Sequence, residues 1–227
     1  YEVSASLVGS EMCIRDRIAV ENYFIIHTYV SSDRTDYNTL IPVLEKHKKA
    51  FGEYPEDVTA DSGYCSEKNL LFLKEKEITS YIKLQTHGKR KTRAYKNDIG
   101  KHYNMESFIE NGKKYYLCHD GRKLHHINTE KRNREGYTQT YEVYGCEDCS
   151  GCPHKAECLY KYDAEKDRDK NKIIKINEKW EELQEESHAN IMSEKGIVNR
   201  QTRSIQTEGH FGDIKENENF RRFNYRS

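Results

Sequence analysis

An alternation of strand-like and helix-like segments between residues 18 and 83 constrains the fold of this chain more than any other feature. Runs of β-branched and aromatic residues predict strands, and apolar residues at helical spacing predict helices. The predicted order is a strand at 18–30, a helix at 37–50, a strand at 58–60, a helix at 67–76 and a strand at 78–83. Asp36 and Ser66 are the predicted caps of the two helices. This order is typical of an α/β sheet.

The alternation stops at residue 84. Residues 84–187 form a polar tract that is rich in tyrosine, with short strand-like runs at 115–117 and 141–144. A tract of this length is an insertion or a small second domain rather than a loop. Further helices are predicted from Glu178 onward and at about 200–217.

Residues 1–17 lack this order and resemble a translated sequencing-adapter artefact, although an ordinary N-terminal extension is the alternative. We therefore expect four parts in the chain. They are an artefact or disordered extension at 1–17, the first part of a core at 18–83, an insertion at 84–187, and the last core helix at 188–227.

Composition restricts the classes of function. The formal net charge is +0, so any DNA binding has to come from local basic patches. No stretch reaches the ~20 apolar residues of a membrane span, and no secretory pattern is present, so the chain is expected to be cytoplasmic. Seven cysteines in such a chain indicate a metal site or reduced thiols rather than disulfides.

Two carboxylates are candidates for catalysis. Asp61 follows a short predicted strand, and a carboxylate at such a strand end faces the crevice where ligands bind in α/β sheets. The alternative is an ordinary turn residue in Asp-Ser-Gly. Glu208 shares a helical face with Gly212 and Lys215, and glycines inside a helix indicate close approach of a backbone or ligand. The alternative is a solvated glutamate on a polar face.

The motifs ADSGYCS around Asp61, RSIQTEGHFGDIK around Glu208, and NFRRF resemble bacterial insertion-sequence transposases of the DDE superfamily. They are most similar to the group with a long cysteine-containing insertion between the second Asp and the Glu. Arg203 and Lys215 match the helix signature of this superfamily, although Arg203 precedes the Glu by five residues rather than the usual four.

This resemblance implies an RNase H-like mixed sheet flanked by helices, with the cysteine-rich insertion before the last helix. It implies that Asp61 and Glu208 bind two Mg²⁺ or Mn²⁺ ions that promote in-line displacement at a phosphodiester. DNA ends and target DNA are the implied partners, bound by a possible homo-oligomer associated with the nucleoid. The implied DNA-binding residues are Arg203, Lys215, Arg221 and Arg222.

No first catalytic Asp is recognisable, because Asp16 lies in the doubtful segment and Asp33 and Asp36 fit a turn and a helix cap better. The family also continues beyond NFRRF. We therefore expect a fragment that does not itself catalyse transposition. A metal-dependent nuclease on the same core is an alternative function.

A cysteine cluster in the insertion has the spacing C-x2-C-x2-C-x5-C. Four thiolates at this spacing fit a structural zinc ion, while reduced thiols and an iron–sulfur cluster are alternatives. Cys118 and His154 are further candidate ligands. A non-catalytic zinc-containing module that binds DNA or protein is thus the third functional hypothesis. The four cluster residues are Cys146, Cys149, Cys152 and Cys158.

Overall fold

The computed structural model describes residues 3–4, 15–22, 24–31, 33, 35–134, 136–208 and 216–217. Contacts between Cα atoms divide the chain into two compact units. The first unit comprises residues 1–85 and 183–227, and the second comprises residues 86–182. Both helices and sheets are present, which confirms a mixed α/β fold. No helix in the described ranges is long and apolar enough to cross a membrane.

The first unit opens with three antiparallel strands paired in chain order: β1 (Val3–Ser4), β2 (Arg15–Glu21) and β3 (Phe24–Ser31). The prediction of one strand over 18–30 is therefore wrong, since a hairpin turn divides it. Asn22 lies at the turn with φ of 48°, a left-handed conformation that asparagine tolerates better than most residues.

Helices and parallel strands then alternate as predicted. The elements are α1 (Leu40–Phe51), β4 (Asp57–Ala60), α2 (Glu67–Glu75) and β5 (Thr79–Ile82). β4 and β5 pair in parallel, and among the described residues they form a sheet of two strands. Leu73 and Ile82 are fully buried and lie at the centre of this layer.

The two predicted helix caps have different outcomes. Ser66 caps α2, because its hydroxyl accepts a hydrogen bond from the backbone N–H of Asn69 at 3.2 Å. Asp36 does not cap α1. It begins a separate 3-10 turn, Asp36–Asn38, and Thr39 stands before α1 without a side-chain cap bond. The polar turn before α1 is longer than the capping pattern indicates.

Two helices complete the first unit: α5 (Glu178–Met192), which begins in the second unit, and α6 (Glu194–Arg203). α5 lies along β5, where the Ser187 hydroxyl donates to the Ile82 carbonyl at 2.8 Å. The start of α5 is confirmed, but the helix predicted at 200–217 begins earlier, at Glu194. A π-helical segment, Ser204–Glu208, follows it, and residues 209–215 lie outside the described residues.

The second unit is built on a five-stranded antiparallel sheet. Its strands are β6 (Glu106–Glu110), β7 (Lys113–Leu117), β8 (Lys123–Arg134), β9 (Tyr137–Cys146) and β10 (Ile173–Ile176), and their order in the sheet is β10-β9-β8-β7-β6. Its buried face carries Tyr116, Leu124, Tyr144, Ile174 and Ile176. The predicted strand-like runs at 115–117 and 141–144 are parts of β7 and β9. Two short helices, α3 (Arg93–Lys96) and α4 (Lys155–Cys158), belong to the same unit.

Candidate active site

Asp61 follows the last residue of β4 and is exposed to solvent. It caps a 3-10 turn, Ser62–Tyr64, in which its Oδ1 accepts a hydrogen bond from the Ser62 backbone N–H at 2.6 Å. The Tyr64 N–H donates to the Asp61 carbonyl at 3.1 Å. One carboxylate oxygen is therefore held by the turn, and the exposed side chain remains accessible to a ligand.

Asn69, on α2, holds this turn in place. Its side-chain amide is buried and donates to two carbonyl oxygens, those of Tyr37 and Tyr64, each at 2.9 Å. The bond to Tyr64 secures the end of the Asp61 turn, and the bond to Tyr37 secures the turn that precedes α1. The role of Asn69 is not predictable from the sequence, because a single polar residue in a helix carries no signal for a contact with another segment.

Asp36 is a second acid beside the Asp61 turn. A Cβ added at Gly63 would lie 2.6 Å from the Oδ2 atom of Asp36, so the Asp36 carboxylate occupies the space next to Gly63. The sequence placed Asp36 only in a cap. Its position near Gly63 depends on the return of the chain after α1 and β4.

The helix that carries the other predicted catalytic segment belongs to the same unit. Lys195, near the start of α6, forms an ion pair of 2.7 Å with Asp57, at the start of β4. α6 contacts β4 and β5, and the π-helical segment at its end contacts β2. Arg203 is the half-buried last residue of α6, and the backbone of Glu208 ends the π-helical segment.

Three of the predicted DNA-binding residues lie outside the described residues: Lys215, Arg221 and Arg222. The side chain of Glu208 also lies outside them. Among the described residues, no group of three or more His, Cys, Asp or Glu side chains is arranged to hold a metal ion. Asp61 has the oxygen donors that Mg²⁺ and Mn²⁺ prefer, and its accessible carboxylate fits the role of one ligand.

The cysteine cluster is part of the core of the second unit. Cys146 and Cys149 are buried beside Tyr116 and Leu124, and Cys118 packs against the same group. A loop returning to β10 fixes them: the Asn171 side chain accepts from the Cys149 N–H at 2.8 Å. The described cysteines of the cluster are all free thiols.

Two of these thiols have a raised pKa, those of Cys146 and Cys158. Burial, with a hydrogen bond to Cys149, raises the pKa of Cys146 to about 11. Burial also raises the pKa of Cys158. Zinc binding requires thiolates in a tetrahedral arrangement, and the described residues do not present such a group. The expected zinc site at Cys146, Cys149, Cys152 and Cys158 is therefore not supported.

Comparison with known proteins identifies the C-terminal part of the chain. Residues 117–227 match the family model described as a transposase DDE domain. The matched range includes Arg203, Glu208 and the cysteine cluster, and it begins after Asp61. No curated protein and no solved structure matches the chain. This match confirms the predicted resemblance to DDE transposases, and over residues 117–227 the chain is similar to transposase DDE domains.

Proposed function

We propose that this chain is part of a transposase that cleaves and joins DNA strands with divalent metal ions, with Asp61 and Glu208 as two of the metal ligands. One observation carries the proposal. The strand that immediately precedes Asp61 and the helix that leads into Glu208 pack together in one unit, although 147 positions separate these two acids in the sequence.

The order of elements supports an RNase H-like core for the first unit. An antiparallel hairpin comes first, and α1, β4, α2 and the parallel strand β5 follow. The second unit, residues 86–182, interrupts this core between β5 and the last two helices. We assign it as the cysteine-containing insertion that the family resemblance implies. Asp61 then lies at a carboxyl strand end, where ligands bind in such sheets.

The residues of this chain have distinct roles in the proposed site. Bound Mg²⁺ or Mn²⁺ would activate the attacking oxygen and stabilise the leaving oxygen of the phosphodiester. The Ser62 N–H orients the Asp61 carboxylate, and Asn69 keeps the turn in place. DNA phosphates near the cleaved strand would be bound by four basic side chains, those of Arg203, Lys215, Arg221 and Arg222.

The proposed substrates are the transposon ends and the target DNA, so the protein would act in the cytoplasm at the nucleoid. A homo-oligomer that holds two DNA ends together belongs to the same proposal. Because no first acid is recognisable from residue 18 onward, we propose that this chain alone does not cleave DNA and that an upstream acid completes the site.

Nicking of supercoiled plasmid with Mg²⁺ or Mn²⁺ tests the proposal. The assay compares this chain with the same chain extended upstream in its reading frame. We expect the extended protein to cut DNA, and Asp61→Asn or Glu208→Gln to abolish cutting. Glu75→Gln, at an exposed position on α2, is the matched control and should leave cutting unchanged.

Other outcomes would change the assignment. Cutting without strand transfer would identify a metal-dependent nuclease on the same core. Cutting that survives both Asp61→Asn and Glu208→Gln would assign these two acids to structural roles and overturn the proposed site.

A further inference from the structure

β8 and β9 extend beyond the sheet of the second unit as a two-stranded ribbon. Among the described residues, β7 pairs with β8 only over Lys123–His125, and β10 pairs with β9 only over residues 142–145. From Thr129 to Tyr141 the two strands pair only with each other. We call residues 129–134 and 136–141 the ribbon; residue 135, at its tip, lies outside the described residues.

The two faces of the ribbon differ. On one face, Lys131 lies opposite Thr140 and Asn133 lies opposite Thr138, and all four residues are exposed. We call these four residues the open face. On the other face, the Arg132 guanidinium lies 5.2 Å from the centre of the Tyr141 ring, whose hydroxyl donates to Gln139 at 3.1 Å. The second face is therefore occupied by its own side chains.

The open face carries one charged side chain, that of Lys131. Glu130, on the second face, forms ion pairs with Lys175 at 2.6 Å and with Arg132 at 3.4 Å. Glu142 lies at the base of the open face, where it accepts a hydrogen bond from the Thr129 hydroxyl at 2.8 Å. Lys131 is thus the charged group that the open face presents beyond this base.

The dimensions of the ribbon match one groove of duplex DNA. Six residues per strand give a length of about 20 Å, and two strands about 4.8 Å apart with their side chains are about 10 Å wide. The major groove is about 12 Å wide and admits such a ribbon, whereas the minor groove is about 6 Å wide.

We propose that the open face of the ribbon docks into the major groove of duplex DNA. Lys131 binds phosphate oxygens, and the methyl groups of Thr138 and Thr140 contact thymine methyls. The Asn133 side chain donates to base edges through Nδ2, since its Oδ1 accepts a hydrogen bond from the Gly136 N–H at 3.2 Å. The proposal rests on the proposed function only in that DNA is the substrate. It assigns the β-ribbon of the second unit to duplex binding and the first unit to chemistry.

Binding of the whole chain to a short, fluorescein-labelled duplex of random sequence tests this docking. Thr140→Glu adds a carboxylate to the open face and should weaken binding by about tenfold or more, through repulsion from phosphates. Thr140→Gln has the same shape without the charge and should bind within about twofold of the parent. Circular dichroism of both variants shows whether the sheet remains folded.

A second pair of variants tests the role of Lys131. Lys131→Gln should reduce the slope of log affinity against log salt by about 0.9, because one phosphate contact is lost. Lys166→Gln removes another exposed lysine of the second unit, outside the ribbon, and should leave the slope unchanged. Equal slopes for the two variants would overturn the assignment of Lys131.

Methylation by dimethyl sulfate identifies the groove. Guanine N7 faces the major groove and adenine N3 faces the minor groove. We expect the parent chain, but not Thr140→Glu, to protect guanine N7. Protection confined to adenine N3, unchanged binding by Thr140→Glu, or no duplex binding by the parent chain would each overturn the docking. So would a change in oligomeric state alone, since the ribbon would then bind a second copy of the chain.

The proposed docking and the proposed catalysis can be tested independently of each other. Asp61→Asn should abolish nicking by the upstream-extended protein while duplex binding is retained. If the ribbon variants bind normally but the Asp61 and Glu208 variants lose nicking, the docking is wrong and the proposed function stands.

Discussion

The carboxylate of Asp36 packs against the α-carbon of Gly63, so closely that a Cβ at Gly63 would lie 2.6 Å from Oδ2 of Asp36. This contact joins the 3-10 turn before α1 to the turn that follows Asp61. Glycine is needed at position 63 because a side chain would take the space of the Asp36 carboxylate. The contact therefore helps to define where the Asp61 turn lies.

The first prediction concerns this contact. Gly63→Ala should lower the free energy of unfolding by about 1–3 kcal/mol, because the added methyl displaces the Asp36 carboxylate. Asp36→Ala in the Gly63→Ala background should recover part of the loss. Urea unfolding followed by circular dichroism measures both changes.

Gly88→Ala is the matched control for that experiment. Gly88 has φ of −69°, and a Cβ there would meet no atom within 4 Å. This substitution should not destabilise the protein. If Gly63→Ala and Gly88→Ala had the same free energy of unfolding, the Asp36 carboxylate would move aside for the added methyl without a loss of stability.

The second prediction concerns Asn69. Asn69→Ala should lower the free energy of unfolding by about 2–3 kcal/mol, because the carbonyls of Tyr37 and Tyr64 lose their donor. Ser66→Ala removes only the cap of the same helix and should lower the free energy of unfolding by about 1 kcal/mol. Urea unfolding of both variants gives the comparison. Equal costs would mean that Asn69 is no more than a helix residue.

The third prediction is a dependence of stability on pH. Burial lowers the pKa of His27 below 6.5, and the nearby His47 and Lys46 lower it further. Below pH 6.5 the unfolded chain binds a proton that folded His27 resists, so stability should fall as the pH drops from 6.5 toward the folded pKa. Above pH 6.5 this group should contribute no dependence.

His27→Phe tests that dependence. The His27 ring lies 5.7 Å from the Phe51 ring, so an aromatic replacement keeps an apolar neighbour there. The free energy of unfolding of both proteins is measured on each side of pH 6.5. The variant should lose less stability on acidification, and parallel curves for the two proteins would exclude His27 as the cause.

The fourth prediction concerns the thiols of the second unit. Because burial raises the pKa of Cys146 to about 11, its thiol should be alkylated more slowly by iodoacetamide than the less buried Cys152. Peptide mapping by mass spectrometry measures the rates, and labelling in urea gives the unfolded reference. Equal rates in the folded protein, or protection of all four cluster cysteines by added Zn²⁺, would contradict the buried-thiol arrangement.

The sequence determined those features that depend on neighbouring residues. Apolar spacing predicted α1 and α2, the Ser66 hydroxyl predicted the start of α2, and a short β-branched run predicted β4, which immediately precedes Asp61. These elements follow from local backbone preference and from the burial of one helix or strand face. The motif around Glu208 also indicated the family before any contact was known.

Tertiary structure decided the features that join distant segments. The hairpin turn at Asn22 divided a run that looked like one strand. Asp36 was predicted to cap a helix but lies beside Gly63, because α1 and β4 bring the turn before α1 next to the turn that follows Asp61. The ribbon is built from polar residues of β8 and β9. Because neither of its faces is apolar, the sequence shows no alternation of apolar and polar residues there that would predict the two strands. Such contacts depend on packing between segments far apart in the chain, and local sequence patterns carry little information about that packing.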